Sequence, residues 1–352
     1  MSSKQLFSHT DHSRMKYPEI FVYGKDDILK SNDNTYYDLT SGLWNVNYGY
    51  NCDHYKGIYE KQYNQLQYYP NCFWSTTDVT EQAADAITEH YDMAGVYFGT
   101  GGSDAIRTAI YITKFCNNKK TDILSHKEAY HGSDNITILC DDIAACVDEN
   151  TAAVIVEPVM TTNGVLEYPR EGLLELDRLR SIYNFRIIFD ETVTGLGRTE
   201  VDKSIKPDII IVSKGLTNGL FPFSATMVTE EIMSYIQNTN EVFDYGITMS
   251  GHPIGSALLL KSLELYRATI ETRKQLEIDI VDKLTTVKFR NYGLLFGIEV
   301  PDGDAARREL KKLGYIIRNY ENTLIFVPMF ISDISKYQKF FDYLQSSAVL
   351  VR

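Results

Sequence analysis

Four short stretches of this 352-residue chain place chemically useful side chains directly after apolar, strand-like runs. In an α/β protein such positions are the carboxyl ends of strands, where ligands bind. The most unusual is Lys214, which follows Asp208-Ile-Ile-Ile-Val-Ser213 and precedes Gly215. A lysine at the end of a buried strand is costly unless it is paired, loses its charge or forms a covalent bond. Asp190 ends the run Ile187-Ile-Phe189, where it can cap a turn or hold the protonated nitrogen of a heteroaromatic ring. Tyr130-His131-Gly132 offers an aromatic face beside a glycine turn, although among 25 tyrosines it can equally be packed surface. Gly99-Thr100-Gly101-Gly102-Ser103-Asp104-Ala105 opens a helical pattern, so that glycine backbone, a serine hydroxyl and a helix N-terminus face one point. That turn can be structural only, and it is neither GxGxxG nor GxxxxGK[ST], so a nucleotide reading lacks its fingerprint. A Schiff-base lysine, an aspartate for a pyridinium nitrogen, an aromatic face and a Gly/Ser phosphate cradle are together the parts of a pyridoxal 5'-phosphate (PLP) site. Burial keeps such a lysine neutral enough to attack an aldehyde, and the freed amine can then move a substrate proton.

These loops need elements to hold them. From Gly95 to Thr229 short apolar runs alternate with helical stretches. The pattern predicts strands at Val96–Phe98, Asp122–Leu124, Ile136–Leu139, Ala153–Val156, Ile187–Phe189, Ile209–Val212 and Ser224–Val228, with helices such as 103–116 and 171–183 between them. That alternation predicts a mainly parallel sheet covered on both faces. After Pro253 the texture changes to a helical run over 253–289, broken near Ile270, then a strand at Gly293–Val300, a helix, two strands and a helix. The expected division is a segment 1–45 folding back onto a small α+β domain at 256–352, around a large domain at 46–255.

Composition narrows the function. With 35 Lys+Arg against 47 Asp+Glu the formal charge is −12, which argues against nucleic acid or an anionic membrane as partner. No run approaches the roughly 18 apolar residues of a membrane span, and the first residues lack a signal-peptide core. Five cysteines without a CxxC pair fit reduced thiols in a cytoplasm, and seven scattered histidines show no metal-ligand spacing.

From Tyr37 to Pro328 the sequence resembles the class III (subgroup II) aminotransferases of PLP fold type I, leaning towards the ω-transaminase and diaminopelargonate-synthase branch. Thr100-Gly-Gly-Ser-Asp-Ala105 is similar to that family's SGSEA turn, and Tyr130-His-Gly132 matches its YHG. Val156-Glu157-Pro158, the stretch from Asp190 to Thr199 (DETVTGLGRT) and the stretch from Ser213 to Pro222 (SKGLTNGLFP) resemble its EP, DEVQTGFGRTG and KGLTGGYLP segments. The stretch from Tyr245 to Pro253 (YGITMSGHP) resembles HGxTFxGNP, and 313–328 resembles GxxxRPxGxxIxLxPP.

The resemblance implies a seven-stranded, three-layer large domain, a smaller domain from the two termini, and PLP as cofactor. It places Gly102 and Ser103 on the phosphate, Tyr130 against the ring, Glu157, Thr192 and Val193 in the cofactor pocket, and Asp190 and Lys214 in catalysis. Thr248 would reach the phosphate of a partner subunit, which implies a homodimer with shared sites. Trp44 would line the substrate pocket, with plain core as its alternative. Arg318 would grip a substrate carboxylate, with a solvated strand position as its alternative. The implied activity is ping-pong amino transfer through a Lys214 Schiff base, from an amino acid or amine to an oxo acid, ketone or aldehyde. An aminomutase or epimerase using the same residues is the alternative, and a non-enzymatic α/β protein with another phosphate ligand a third reading. Four departures stand out: Thr192 replaces the family's Val, Val193 replaces its Gln, Asp104 replaces its Glu, and only 24 residues separate Gly132 from Glu157 where the family commonly has far more.

Overall fold

The computed structural model describes residues 5–11, 13, 18–117, 119–132, 136–202 and 204–348. Seven strands form the central sheet: β1 (Gly95–Gly99), β2 (Asp122–His126), β3 (Ile138–Cys140), β4 (Thr151–Val156), β5 (Arg186–Asp190), β6 (Ile209–Val212) and β7 (Ser224–Val228). Their spatial order is β1-β7-β6-β5-β4-β2-β3. Every expected strand of this region is present, with ends shifted by no more than two residues. All neighbours run parallel except β7, which is antiparallel to both β6 and β1. The β6–β7 connection, 213–223, carries only a single 3-10 turn, too little for the crossover that a parallel neighbour needs.

Both faces of the sheet are buried, which explains the unbroken apolar runs. Ala153, Ile155, Ile188, Ile209 and Ile211 share a core with the helix Gly102–Cys116. The alternate residues Val154, Val156, Ile187, Phe189, Ile210 and Val212 join Leu173, Leu176 and Leu179 of the helix Arg170–Tyr183 on the other face. The period of two along each strand thus feeds two separate helical layers.

The C-terminal region differs in two respects from the sequence reading: three short strands, Tyr315–Ile316, Arg318–Tyr320 and Thr323–Phe326, follow the helix Gly303–Lys312 where two were expected, and the helical run ends early. The helical run breaks at Thr269 between helices Pro253–Ala268 and Ile270–Lys283, close to the expected place, but it stops at Lys283. Phe289–Tyr292 is a strand pairing antiparallel with Leu295–Glu299 in a sheet completed by Thr323–Phe326 and Arg318–Tyr320. Four residues with only partial burial carry little periodicity, so the helical pattern ahead of them extends too far on paper. Near the other end, Thr35–Asp38 pairs in parallel with Tyr315–Ile316.

One side chain ties these regions together. Arg198 is 1% exposed and donates to the carbonyl of Pro328 and to Asn47 Oδ1, while its guanidinium lies 4.5 Å from the Phe330 ring centroid. Burial, with the nearby Arg273 charge, pushes its pKa down to about 9. Truncation to alanine would strand two buried acceptors and leave a void. Arg198→Ala is therefore expected to lose about 3 kcal/mol of unfolding free energy in urea titration; an unchanged midpoint would show that the seam is held elsewhere.

Candidate functional site

The loops picked out by sequence converge at the carboxyl ends of β1, β2, β4, β5 and β6. They line a cavity of about 500 Å³ whose walls include Trp44, Gly102, Ser103, Tyr130, Glu157, Asp190, Thr192, Val193, Lys214 and Arg318. Ten of the eleven predicted site residues meet there. Thr248 does not: it lies exposed in a turn, its carbonyl accepting a hydrogen bond from Tyr68 Oη at 2.6 Å.

Lys214 follows β6 at the first position of a 3-10 turn, with φ +40°. A non-glycine residue in this left-handed region stores strain and must be held there by its surroundings. Two neighbours hold it. Ser213 Oγ donates to the carbonyl of Phe223 at 2.9 Å, and Asn218 accepts from Tyr48 N at 2.8 Å and donates to the Gly49 carbonyl at 3.0 Å. Lys214 Nζ lies 4.5 Å from the Trp44 ring centroid and, among the described residues, has no hydrogen-bond partner. Burial lowers its pKa to about 8, against the opposing pull of Asp190 and Glu157, with the Arg318 charge adding to the fall.

Trp44 reaches this position through a turn that coils the unusual way. Ser41, Gly42, Leu43 and Trp44 all have positive φ, from +50° to +69°. Left-handed turns cost roughly 1–2 kcal/mol per non-glycine residue, so this one needs anchors. Asp38 Oδ1 accepts from Thr40 N at 2.9 Å, Asp38 Oδ2 accepts from Gly42 N at 2.6 Å, and Ser41 Oγ donates to the Val327 carbonyl at 2.7 Å.

Asp190 is 5% exposed. Its Oδ2 lies 2.9 Å from His131 Nδ1, and its Oδ1 accepts from Thr192 N at 3.1 Å. Burial alone would raise its pKa, but the His131 hydrogen bond and charge, with Thr192, hold it below the ordinary value. His131 is correspondingly raised: burial opposes its charge, and Asp190 overcomes that. His131 sits within the Tyr-His-Gly motif, yet no role for it is legible in the sequence, because its contact with Asp190 spans 59 residues. Glu157 Oε2 accepts from Tyr130 N at 2.9 Å, and burial raises its pKa to about 7. Tyr130 stands at the cavity wall, its ring edge-on to His9 at 6.0 Å. Thr162 also lines the cavity and has a buried hydroxyl without a partner, as does Thr192; no spacing in the sequence marks Thr162.

Gly102 begins the helix behind the turn, and a Cβ there would sit 3.2 Å from Thr192 Cγ2. At the opposite wall Arg318 opens the strand Arg318–Tyr320, exposed and, among the described residues, without a carboxylate partner. The cavity therefore combines a low-pKa amine, a buried carboxylate held ionised, a helix N-terminus floored by glycine, and an open guanidinium. No helix of the described residues is long and apolar enough to cross a membrane, and no cluster among them could hold a metal ion.

With this geometry in place, comparison with known proteins is specific. The chain belongs to the class-III aminotransferase family, whose model matches residues 24–142 and 136–347. It is similar to a vanillin aminotransferase of Capsicum chinense (28% identity; 68% of this chain, 66% of the relative). It is similar also to gamma aminobutyrate transaminase 2 of Solanum lycopersicum (28% identity; 70% of this chain, 66% of the relative). The chain thus matches just under two thirds of the length of these relatives. Among solved structures, an omega transaminase from Pseudomonas jessenii in complex with PMP superposes with TM-score 0.88 at 21% identity, covering 98% of this chain and 95% of that one. An aminotransferase from Vibrio fluvialis in its PMP-bound form gives 0.86 at 22%, covering 99% and 96%. The architecture is that of PLP-dependent transferase fold type I.

The lowered pKa gives a pH prediction. Only the neutral amine is nucleophilic, so Lys214 gains reactivity as pH rises through its own pKa. Reductive methylation of cofactor-free protein, followed by peptide mass, should show Lys214 modified with a midpoint near pH 8. Surface lysines should lag until near pH 10; a Lys214 midpoint among theirs would contradict the desolvated environment.

Proposed function

We propose that this chain is a PLP-dependent aminotransferase that takes an amino group from an amino acid or amine and delivers it to an oxo acid, ketone or aldehyde, in a ping-pong cycle. The observation that carries the reading is the convergence of Lys214 Nζ, desolvated over Trp44, with the Asp190–His131 pair in one cavity.

The residues present suit the cofactor. Gly102 and Ser103, at the N-terminus of a 15-residue helix, would receive the phosphate, and the unpartnered Thr192 hydroxyl lies beside them. Tyr130 would flank the ring, Thr192 and Val193 would support its other face, and Glu157 would close the wall behind it. Asp190, kept ionised in a buried setting, suits a protonated ring nitrogen. When bound, the group supplies an aldehyde for the lysine and an electron sink for the carbon that loses its proton.

The chain's own residues supply the rest. Lys214 Nζ accepts the proton from the amine-bearing carbon of the donor and returns one to the acceptor. His131 holds the Asp190 carboxylate in place and in its charged state. Arg318 orients a carboxylate-bearing substrate by a planar, bidentate grip. Trp44 shields the lysine and excludes water from its side of the cavity.

The reading includes a homodimer in which Thr248, exposed and outside the cavity of its own chain, reaches the phosphate site of the partner. It also includes a division into residues 1–45 joined to a small domain at 256–352, around a cofactor domain at 46–255. The pairing of Thr35–Asp38 with Tyr315–Ile316 supports that join. A cytoplasmic setting is supported by five cysteines that are all free.

Lys214→Ala is expected to keep binding PLP but to lose both the borohydride-stable adduct and turnover, by more than about a thousandfold in kcat. Full activity in that variant would end the assignment. Arg318→Ala should lower kcat/KM for carboxylate substrates by about a hundredfold and leave simple amines within a few-fold. Equal losses on both would show that Arg318 is not the substrate grip.

A further inference from the structure

The turn that would hold the phosphate and the loop that carries Thr248 are joined by two side chains of this chain. Asp104 folds back over its own turn, with Oδ2 accepting from Thr100 N at 2.8 Å and from the Thr100 hydroxyl at 3.4 Å. Its other oxygen accepts a long 3.5 Å bond from Tyr245 Oη, and the Thr108 hydroxyl donates to that same phenol oxygen at 3.1 Å. The Tyr245 ring stacks on Tyr111, with centroids 4.8 Å apart and planes 28° apart, and stands edge-on to Tyr97 at 5.6 Å. From Tyr245 the chain runs two residues to Ile247, whose N–H donates to Tyr97 Oη at 3.1 Å. It then passes Thr248 to Ser250, whose hydroxyl donates to the Phe98 carbonyl at 2.7 Å. The loop is therefore pinned at both ends to β1 and to the helix Gly102–Cys116, the two elements that also frame the phosphate turn.

The residue types at the join are matched in size. Asp104 stands where the family's turn has Glu, and Tyr245 stands where the HGxTFxGNP segment has His. A glutamate would be about 1.5 Å longer. Asp104 Oδ2 packs over Gly99, where a Cβ would lie 2.4 Å from it and 2.6 Å from Ser224 Oγ. The join thus pairs a shorter carboxylate with a longer aromatic side chain, and the two meet across 3.5 Å.

We propose that Asp104 and Tyr245 are a matched pair of positioning residues that sets the distance between a subunit's own phosphate turn and the Thr248 loop it lends to its partner. The proposal rests on the PLP-binding, shared-site reading given above. Neither residue lines the cavity; they act through Thr100, Gly102 and Ser103 on one side and through Thr248 on the other.

The test is a double-mutant cycle read as PLP affinity, by absorbance titration of the purified full chain. Circular dichroism and sedimentation confirm fold and association state for each variant. Asp104→Glu alone overfills the gap, and Tyr245→His alone leaves it open, so each is expected to raise the PLP dissociation constant about fivefold or more. The double variant is expected to return to within about twofold of the parent, because the two changes compensate. Single variants at parental affinity, or a double variant weakened by the product of the two losses, would overturn the pairing. Thr248→Ala separates the two levels. If it leaves PLP affinity unchanged in a chain that binds PLP, the shared-site reading fails; if it weakens binding while the cycle is additive, only the pairing fails. A parent chain that takes up no PLP would overturn both.

Discussion

The structure depends on keeping one carboxylate charged at the end of the central strand. Asp190 is almost wholly buried, and burial by itself would push it towards the neutral acid. His131 and the Thr192 amide reverse that, and both belong to loops whose positions follow from where β5 lies in the sheet. The same charge reaches Lys214, where it opposes the desolvation that lowers the amine. Glu157 close by is lifted towards neutrality instead. Two buried carboxylates near one amine are thus shifted in opposite directions, and the one bonded to the imidazole is the one held low. In the proposed reading that division suits a cationic ring edge beside an amine.

The second constraint is mechanical. Lys214 and Trp44 both adopt left-handed backbone, and neither is held by its own element. Asn218 ties the lysine turn to residues 48–49, Asp38 and Ser41 tie the tryptophan turn to the chain around it, and Arg198 joins Asn47 to Pro328. The lysine, the aromatic face beneath it and the strand that presents Arg318 are therefore placed by contacts between segments hundreds of residues apart. This arrangement concentrates strain at the site and spreads its cost over the seam around it.

The acidic balance of the whole chain, −12, gives no long-range help in holding an anion. In the proposed reading that work falls to local features: a helix N-terminus with no side chain at Gly102, and a guanidinium at Arg318 left without a carboxylate among the described residues. The heavy tyrosine content has a partial explanation in the same region. Tyr97, Tyr111 and Tyr245 form a stacked and edge-on cluster that combines apolar packing with phenol hydrogen bonds at the root of the Thr248 loop.

Much of this was legible in the linear sequence. The seven strands follow from apolar runs whose alternate residues feed two helical layers, and Lys214, Asp190 and Ser103 are conspicuous because each sits in the loop that follows such a run. Those are local signals, carried by neighbouring residues and by backbone preference. The strand Phe289–Tyr292 was hidden, since four half-buried residues have too little pattern to outweigh the helix before them. His131 as the partner of Asp190, the left-handed turn under the lysine and the meeting of Asp104 with Tyr245 were also beyond the sequence. Each depends on two segments distant in the chain arriving within hydrogen-bond reach, and on burial that turns an ordinary charge into a shifted one. The linear order of residues sets which groups are available and on which elements they ride. The folded contacts set which of them share a cavity, and so in which direction burial and neighbours shift each charge.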